Sequence, residues 1–578
     1  MSTTPWNRNL KRKEGGGLYC PLAVSWPDGA CRNHHRNKDP RRVRTEVPPR
    51  RHITVTDHKE APPMSSQLFI RKPVEHFETE MRESKLKRVL GKWGLTSLGV
   101  GAIIGAGIFV MTGVGAKEYA GPALALSFVV AGIGCTFAAL CYAEFASFLP
   151  VEGSAYAYSY ATMGELFAWI IGWDLILEYA MAASAVAVGW SGYLAKFLHL
   201  FDMEFPIWLM NDVFTAKEMI ADATNRGALA DLATRYSDLS FPLIMGVDFS
   251  CNLPALLVIW LITAILVRGI KEASSTNNIM VAVKVVVVLF IIILGAQYIN
   301  AANWDPFIPE RGLYVDALGG SHSAYGFLGI VAGAAYIFFA YIGFDTVSTH
   351  AGEAKNPQKD VPFGIIASLI VCTILYILVA LVLTGMVNYK DIDITAPIAA
   401  AFGVQGLSYA VFIISVAAIA GLTSVLIVML LGQSRVFYAI SKDGLLPRNT
   451  FGELHPTFRT PWKANILIGL VVSVVSAFTP IDSISKMVNI GTLLAFVMVC
   501  IAVWVMRKKE PTRPRPFRAP AVWFVAPMGV IFNLGMMLTL EWQNWTRLAV
   551  WLMLGSLIYF FYGKKHSVMA KRFAKEEK

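Results

Sequence analysis

The sequence predicts an all-α integral membrane protein of about twelve transmembrane helices, and three observations carry that prediction. Of its 578 residues, 55% are hydrophobic and only 16% are charged, whereas soluble domains carry roughly 25% charge. The charges are also spaced unevenly. Uncharged stretches such as Trp93–Ala116, Tyr119–Ala143, Val285–Trp304, Val361–Tyr389 and Ile394–Ser434 recur along the chain with short polar turns between them. A helix needs about 20 apolar residues to cross the hydrocarbon core, and most of these stretches meet that length. Finally, the basic residues obey the positive-inside rule. With both termini cytoplasmic, 41 of the 51 Lys and Arg fall on the inner side, nine fall outside, and Lys284 lies within a helix.

The predicted spans, numbered 1 to 12, run near 95–117, 121–148, 163–194, 253–271, 278–300, 327–350, 362–385, 407–440, 464–480, 486–506, 521–540 and 545–562. The net charge of +11 follows from this topology. Basic residues beside membrane spans face the lipid bilayer and its anionic headgroups, so nothing calls for a nucleic acid partner. The seven cysteines show no metal-ligand spacing, and no cofactor is implied.

Residues 1–63 are basic and lack hydrophobic periodicity, so they read either as a disordered tail or as an over-extended start before Met64. Residues 64–92 form a cytoplasmic N-terminal segment, with a charged surface helix expected near 76–92. Residues 563–578 form a basic cytoplasmic tail. The external loop 195–252 is acidic, and its run Ala216–Arg235 is expected to form a surface helix.

Span 1 holds four glycines in nine positions, Gly99, Gly101, Gly105 and Gly107, although each interior glycine costs a helix about 1 kcal/mol relative to alanine. Close packing through small residues accounts for Gly101 and Gly105. A broken helix that offers N–H groups to an anion accounts for the rest. Span 6 supports the break, because Phe338–Thr346 again puts a glycine, Gly343, and a polar residue into an apolar run. Interruptions at matching places in two groups of five spans point to a midplane binding site in an inverted-repeat carrier.

Lys284 sits six residues into span 5, and Asp174 and Glu178 are four apart on span 3. Charge at that depth costs on the order of 2.5–3.5 kcal/mol and marks function by default. Snorkelling or a structural ion pair is the plain alternative for Lys284. A buried amine can also carry or release a proton, which would make Lys284 a coupling residue. Glu144, at the end of span 2, reads as interfacial. The turns Glu353–Pro362 and Arg435–Pro447 read as solvated, with Pro362 opening span 7. No HExxH or nucleophile elbow appears, so the chain does not read as an enzyme.

Four segments, GAIIGAGIF, FFAYIGFDTVS, KNPQKDVPFGI and SRVFYAISKDGLLP, follow one another in that order. They make the chain resemble the amino acid–polyamine–organocation superfamily, and within it the cationic amino acid transporter family with its bacterial permeases. The likeness spans about residues 90–562. It implies a LeuT-like five-plus-five inverted repeat, with repeats at 93–304 and 317–506, and two further helices at 521–562. It also implies a secondary active amino acid permease in the plasma membrane, a bacterial inner membrane by its helix count, working by alternating access with protons as coupling ion. An exchanger of cationic amino acids and a non-transporting amino acid sensor are the alternatives.

Carried over residue by residue, the resemblance places a substrate carboxylate at the amides of Gly105, Ala106 and Gly107. The substrate amine would meet carbonyls of Ile103, Phe339, Ala340 and Ile342, beside Gly343. Lys284 matches a lysine standing where sodium-coupled relatives hold a cation, and Glu178 matches an acidic residue lining the pocket. Met429 on span 8 matches a side-chain pocket position, and its bulk favours small or neutral amino acids. Ala106 replaces a hydroxyl residue and Gly352 replaces an acidic one common in the family.

Overall fold

Inside a hydrocarbon core each backbone N–H and C=O must be satisfied within its own segment, so long uncharged runs fold as helices. The computed structural model describes residues 67–73, 76–77, 90–149, 154–225, 227, 229–269, 273–315 and 321–576. All of them belong to one unit, Pro63–Lys578. The tail expected at 1–63 and most of the helix expected near 76–92 lie outside the described residues.

Among the described residues, eight helical runs are long and apolar enough to cross a membrane, and three shorter apolar helices accompany them. In chain order, α1 is Lys92–Ile103 with a continuation over Gly107–Ala120, α2 is Leu124–Phe148 and α3 is Glu165–His199. Next come α4 (Leu253–Arg268), α5 (Ala273–Gly295), α6 (Gly326–Ile337, continued to Thr349) and α7 (Pro357–Met386). The rest are α8 (Ser408–Lys442), α9 (Trp462–Phe478), α10 (Ile481–Lys509), α11 (Val522–Leu538) and α12 (Trp542–Ile558). Strands occur only as two short hairpins among the described residues, and one pairs Gly312–Val315 with Ser321–Ala324.

The burial pattern is that of a protein solvated by lipid. Leu257 and Leu261 on α4, Ile293 on α5 and Ile370 on α7 are all more than half exposed. Meanwhile Glu144, Asp174, Glu178, Lys284 and Asn489 are buried inside. Such an arrangement would expose large apolar patches in water but suits a bilayer. Helix α3 packs along α8, α2 along α7, and α4 along α9.

Three local outcomes differ from expectation. Helix α7 begins at Pro357 rather than Pro362, because Pro357 fills the first-turn position where a missing N–H is harmless. The Asp360 carboxylate also accepts the Asn356 N–H at 3.1 Å there. Short helices form at Ser154–Thr162, where every residue is buried, and at Pro397–Val404. The second lies in the long apolar run before span 8, which the turn at Gly406, with φ +73°, divides in two. The run 216–235 forms Val213–Asn225 and Leu229–Ala233, parted at Gly227 with φ +68°.

Glu144, near the end of α2, is buried inside the protein. It is 1% exposed and takes a two-pronged guanidinium contact from Arg507, with both distances 2.7 Å. The Ala519 N–H donates to it at 2.9 Å, and the Arg515 Nε stands 3.3 Å away. The pair ties α2 to the end of α10, and Arg515 and Ala519 add the connection between α10 and α11. Removing one partner of a buried pair strands the other charge and costs about 3–5 kcal/mol. Glu144→Ala is therefore expected to lower the melting temperature of the detergent-solubilised protein by several degrees. An unchanged melting curve would show that the pair carries no stability.

Candidate functional site

The site begins where two helices stop. Helix α1 ends at Ile103 because Ile104 turns to extended backbone, ψ 97°, and helical geometry resumes at Ala106. Gly105, Ala106 and Gly107 thus occupy the first turn of a new helical segment. A first turn leaves N–H groups without intrahelical acceptors and carries the positive end of the dipole. Helix α6 tightens over Phe338–Tyr341, extends at Ile342, ψ 132°, and turns at Gly343, where φ is +123°. Only glycine adopts that conformation at little cost.

The two breaks face each other. A methyl group added to Gly107 would lie 2.3 Å from the Ala340 Cα, and one added to Gly343 would lie 2.8 Å from the Ala102 carbonyl carbon. Glycine at both positions is what lets the two backbones touch. Gly105 meets the Val425 side chain of α8, at 3.2 Å from an added methyl. The Tyr376 hydroxyl of α7 donates to the Ile103 carbonyl at 2.8 Å. The Phe339 carbonyl accepts the Ile342 N–H at 3.2 Å, so each of these carbonyls keeps one lone pair for another donor.

Lys284 does not snorkel. It is 1% exposed and donates to the Gly101 carbonyl at 2.8 Å, with its stem lying on Gly421 of α8. The ammonium thus holds the end of the first half of α1, three residues before the break. On α3, Glu178 is buried, with the carboxyl groups of Asp345 and Asp174 nearby. The Asp345 carboxylate accepts the Gly343 N–H at 3.2 Å, so it braces the turn of the α6 break. Both Asp174 oxygens are buried without a hydrogen-bond partner, against Gly491 of α10.

The structure therefore brings together Ile103, Gly105, Ala106, Gly107, Phe339, Ala340, Ile342 and Gly343. Lys284 touches the same element from behind. Met429 is buried on α8 between Val425, which faces Gly105, and Gly432, which faces Tyr179 of α3. Sequence reasoning missed Asp345 and Tyr376 as parts of the site. Asp345 carried a signal, a carboxylate inside an apolar run, whereas Tyr376 carried none.

A cavity of about 490 Å³ lies one turn beyond the α1 break. Val110 and Gly189 form its inner end, and Glu118, Asp482, Lys486 and Glu541 line its mouth. None of the eleven predicted site residues lines it. It adjoins them through Gly189, where an added methyl would meet the Val110 side chain at 2.8 Å and the Ala106 methyl at 3.8 Å. Lys486 contacts Asp482 and Glu541, both at 2.9 Å. At the same end of the bundle, Asp393 holds Lys196 and Arg235, each at 2.9 Å.

Burial would raise the Asp393 carboxyl, but Lys196 and Arg235 outweigh it and hold the group well below the usual carboxylate range. A depressed value contributes stability that is full above the unfolded pKa, near 3.9, and is lost only as pH falls through the folded one. Asp393→Asn is accordingly expected to melt earlier than the parent at neutral pH. The difference should begin to narrow only below about pH 4 and shrink progressively as pH falls towards the depressed folded value. A gap that did not narrow in acid would show that the side chain acts through packing.

Comparison with known proteins bears on what such a site serves. Residues 90–561 match the family model described as amino acid permease. The chain is 43% identical over 506 residues to the branched-chain amino acid permease BcaP of Bacillus subtilis (strain 168), covering 87% of this chain and 99% of that protein. It is 42% identical over 506 residues to the methylthioribose transporter of the same organism, covering 88% and 100%. Against the vacuolar cationic amino acid transporter 4 of Arabidopsis thaliana it is 37% identical over 427 residues, 74% of this chain and 64% of that one. With paired helix breaks and a matching family model over most of its length, the chain belongs to the amino acid permease family, a family of multi-pass membrane transporters and not of enzymes.

Proposed function

We propose that this protein is a secondary active amino acid permease of the plasma membrane, holding its substrate between the breaks of α1 and α6. The observation that carries the reading is the contact of those breaks, Gly107 on Ala340 and Gly343 on Ala102. The carboxylate of an amino acid suits the N–H groups of Gly105, Ala106 and Gly107. Its ammonium suits the carbonyls of Ile103, Phe339, Ala340 and Ile342.

The packing supports a five-plus-five repeat. Exchanging each helix with its counterpart in the other group of five (α1 with α6, α2 with α7 and so on to α5 with α10) converts α1–α7 contact into α6–α2, α3–α10 into α8–α5, and α1–α5 into α6–α10; each of these pairs is in contact. The pairs α2–α7, α3–α8 and α4–α9 map onto themselves. Two groups related in this way can rock about a shared site, which is the basis of alternating access. In this scheme α11 and α12 are additional and both termini are cytoplasmic.

Lys284 would supply the coupling, with Glu178 as a second proton-carrying group. Its bond to the Gly101 carbonyl lets a change of protonation alter the hold on the first half of α1. The substrate would be a small or neutral amino acid, because Met429 takes up space beside the break. The name of the Bacillus subtilis relative BcaP, a branched-chain amino acid permease, agrees with that class. The cationic transporters among the relatives favour arginine exchange as the second reading.

Uptake of labelled alanine, leucine and arginine into proteoliposomes tests the proposal. Accumulation of alanine or leucine that needs an inward proton gradient and ignores sodium is the expected result. Gradient-independent arginine exchange would overturn the coupling and the role given to Met429. Binding without movement of any of the three would make the protein a sensor.

A further inference from the structure

At the end of the bundle that carries the C-terminus, a recess of about 470 Å³ opens between the turn after α8 and the chain beyond α12. Arg448 and Asn449 line one side, and Tyr562, His566, Lys571 and Arg572 line the other; among the described residues none of the lining is acidic. The carboxylate nearest in sequence, Asp443, is already engaged by Lys72 at 3.0 Å and by the Tyr156 hydroxyl at 2.7 Å. Like charges gathered around a concave space repel unless an anion sits among them.

Several of these groups are held in place. The Arg448 guanidinium donates to the carbonyls of Lys442 at 2.6 Å and Ser441 at 3.3 Å, which fixes the plane it presents. The His566 ring stacks on Tyr562 with centroids 4.2 Å apart. The Arg572 Nη1 stands 3.2 Å from the His76 Nδ1, so this guanidinium is also held by a neighbour. Lys571 and Arg572 stand exposed on the helix Val568–Glu576, whose Met569 is buried beneath them.

The recess also sits at the level where the last apolar helix ends. Phe560 and Phe561, the two residues before Tyr562, are 47% and 74% exposed, and aromatic residues collect at membrane–water boundaries. A phosphate group at the bilayer surface would lie at this depth. Guanidinium groups take phosphate oxygens in pairs, and Lys adds a point charge.

We infer that this recess binds the phosphate of an anionic phospholipid headgroup, clamped by Arg448, Lys571 and Arg572 with Asn449 and Tyr562 as neutral donors. Free inorganic phosphate shares that chemistry, but it lacks acyl chains to lie along Phe560 and Phe561. The site is separate from the α1–α6 breaks and does not depend on the transport reading.

Lipid retention by the purified full-length protein provides the test. The protein is exchanged into mixed micelles of phosphatidylglycerol and phosphatidylethanolamine, and bound lipids are counted by native mass spectrometry. Phosphatidylglycerol should be retained in preference. Arg448→Gln with Lys571→Gln and Arg572→Gln should reduce that preference by about fivefold for each charge removed. A control with Lys355→Gln, Lys508→Gln and Lys509→Gln, which removes equal charge elsewhere on this face, should keep it.

Equal loss in the control would reduce the effect to general surface charge and overturn the site. Displacement of the lipid by millimolar inorganic phosphate would overturn the lipid as ligand and reassign the recess to free phosphate. If the triple variant elutes as aggregate, the single Arg448→Gln and Arg448→Lys pair decides. Loss with glutamine and retention with lysine supports the clamp; no change with either contradicts it.

Discussion

Lys284→Met is expected to abolish the dependence of uptake on a proton gradient while leaving the protein folded. The methionine fills the space beside Gly421 but cannot donate to the Gly101 carbonyl, which the lysine reaches at 2.8 Å. Hydrogen bonds to charged groups contribute about 1.5–3 kcal/mol, so the conformation that this bond stabilises should lose roughly tenfold or more in population. In proteoliposomes, gradient-driven accumulation should fall by that factor and the residual exchange should become flat with pH. A lysine that merely supported the fold would behave differently. Its replacement would lower expression and melting temperature, and the surviving protein would keep its pH profile. Uptake by Lys284→Met that still followed the gradient would remove Lys284 from the coupling.

Gly107→Ala should be nearly as damaging, for a steric reason. The added methyl would meet the Ala340 Cα at 2.3 Å, and that atom belongs to backbone with little freedom to give way. Overpacking of this kind costs about 1–3 kcal/mol, equivalent to a loss between fivefold and more than a hundredfold. Here the strain falls on the contact between the two breaks. Uptake should fall accordingly, with affinity for substrate reduced along with rate. Gly535→Ala on α11, where an added methyl meets nothing within 4 Å, should leave uptake unchanged and serves as the control. Full activity in Gly107→Ala would mean that the breaks need not touch during transport.

Much of this architecture was legible because a membrane simplifies the code. Uncharged runs gave the apolar helices, and glycine or charge inside such a run stood out against a uniform background. For that reason the α1 and α6 breaks and Lys284 were found from residues alone. The contact between the breaks was not. Gly107 and Ala340 are far apart in sequence, and nothing local to either names the other. Tyr376 was invisible for a related reason: a tyrosine in an apolar helix reads as packing until its hydroxyl is seen on the Ile103 carbonyl.

Errors fell where tertiary burial overrode local composition. Ser154–Thr162, rich in Tyr, Ser and Ala, falls between predicted spans 2 and 3, yet it forms a helix whose residues are all buried. Glu144 reads as interfacial from its place at a helix end, and its burial rests on Arg507, Arg515 and the Ala519 N–H, all distant in sequence. Asp345 was visible as a polar interruption, but its work in bracing Gly343 needed the geometry of the turn.

The most direct test of the account is a structure determined with alanine bound. The account predicts ligand density between the two breaks, with the carboxylate at the N–H groups of Gly105, Ala106 and Gly107 and the ammonium towards the carbonyls of Ile103, Phe339, Ala340 and Ile342. Density confined to the cavity between Val110 and Glu541, with the breaks still closed on each other, would contradict it.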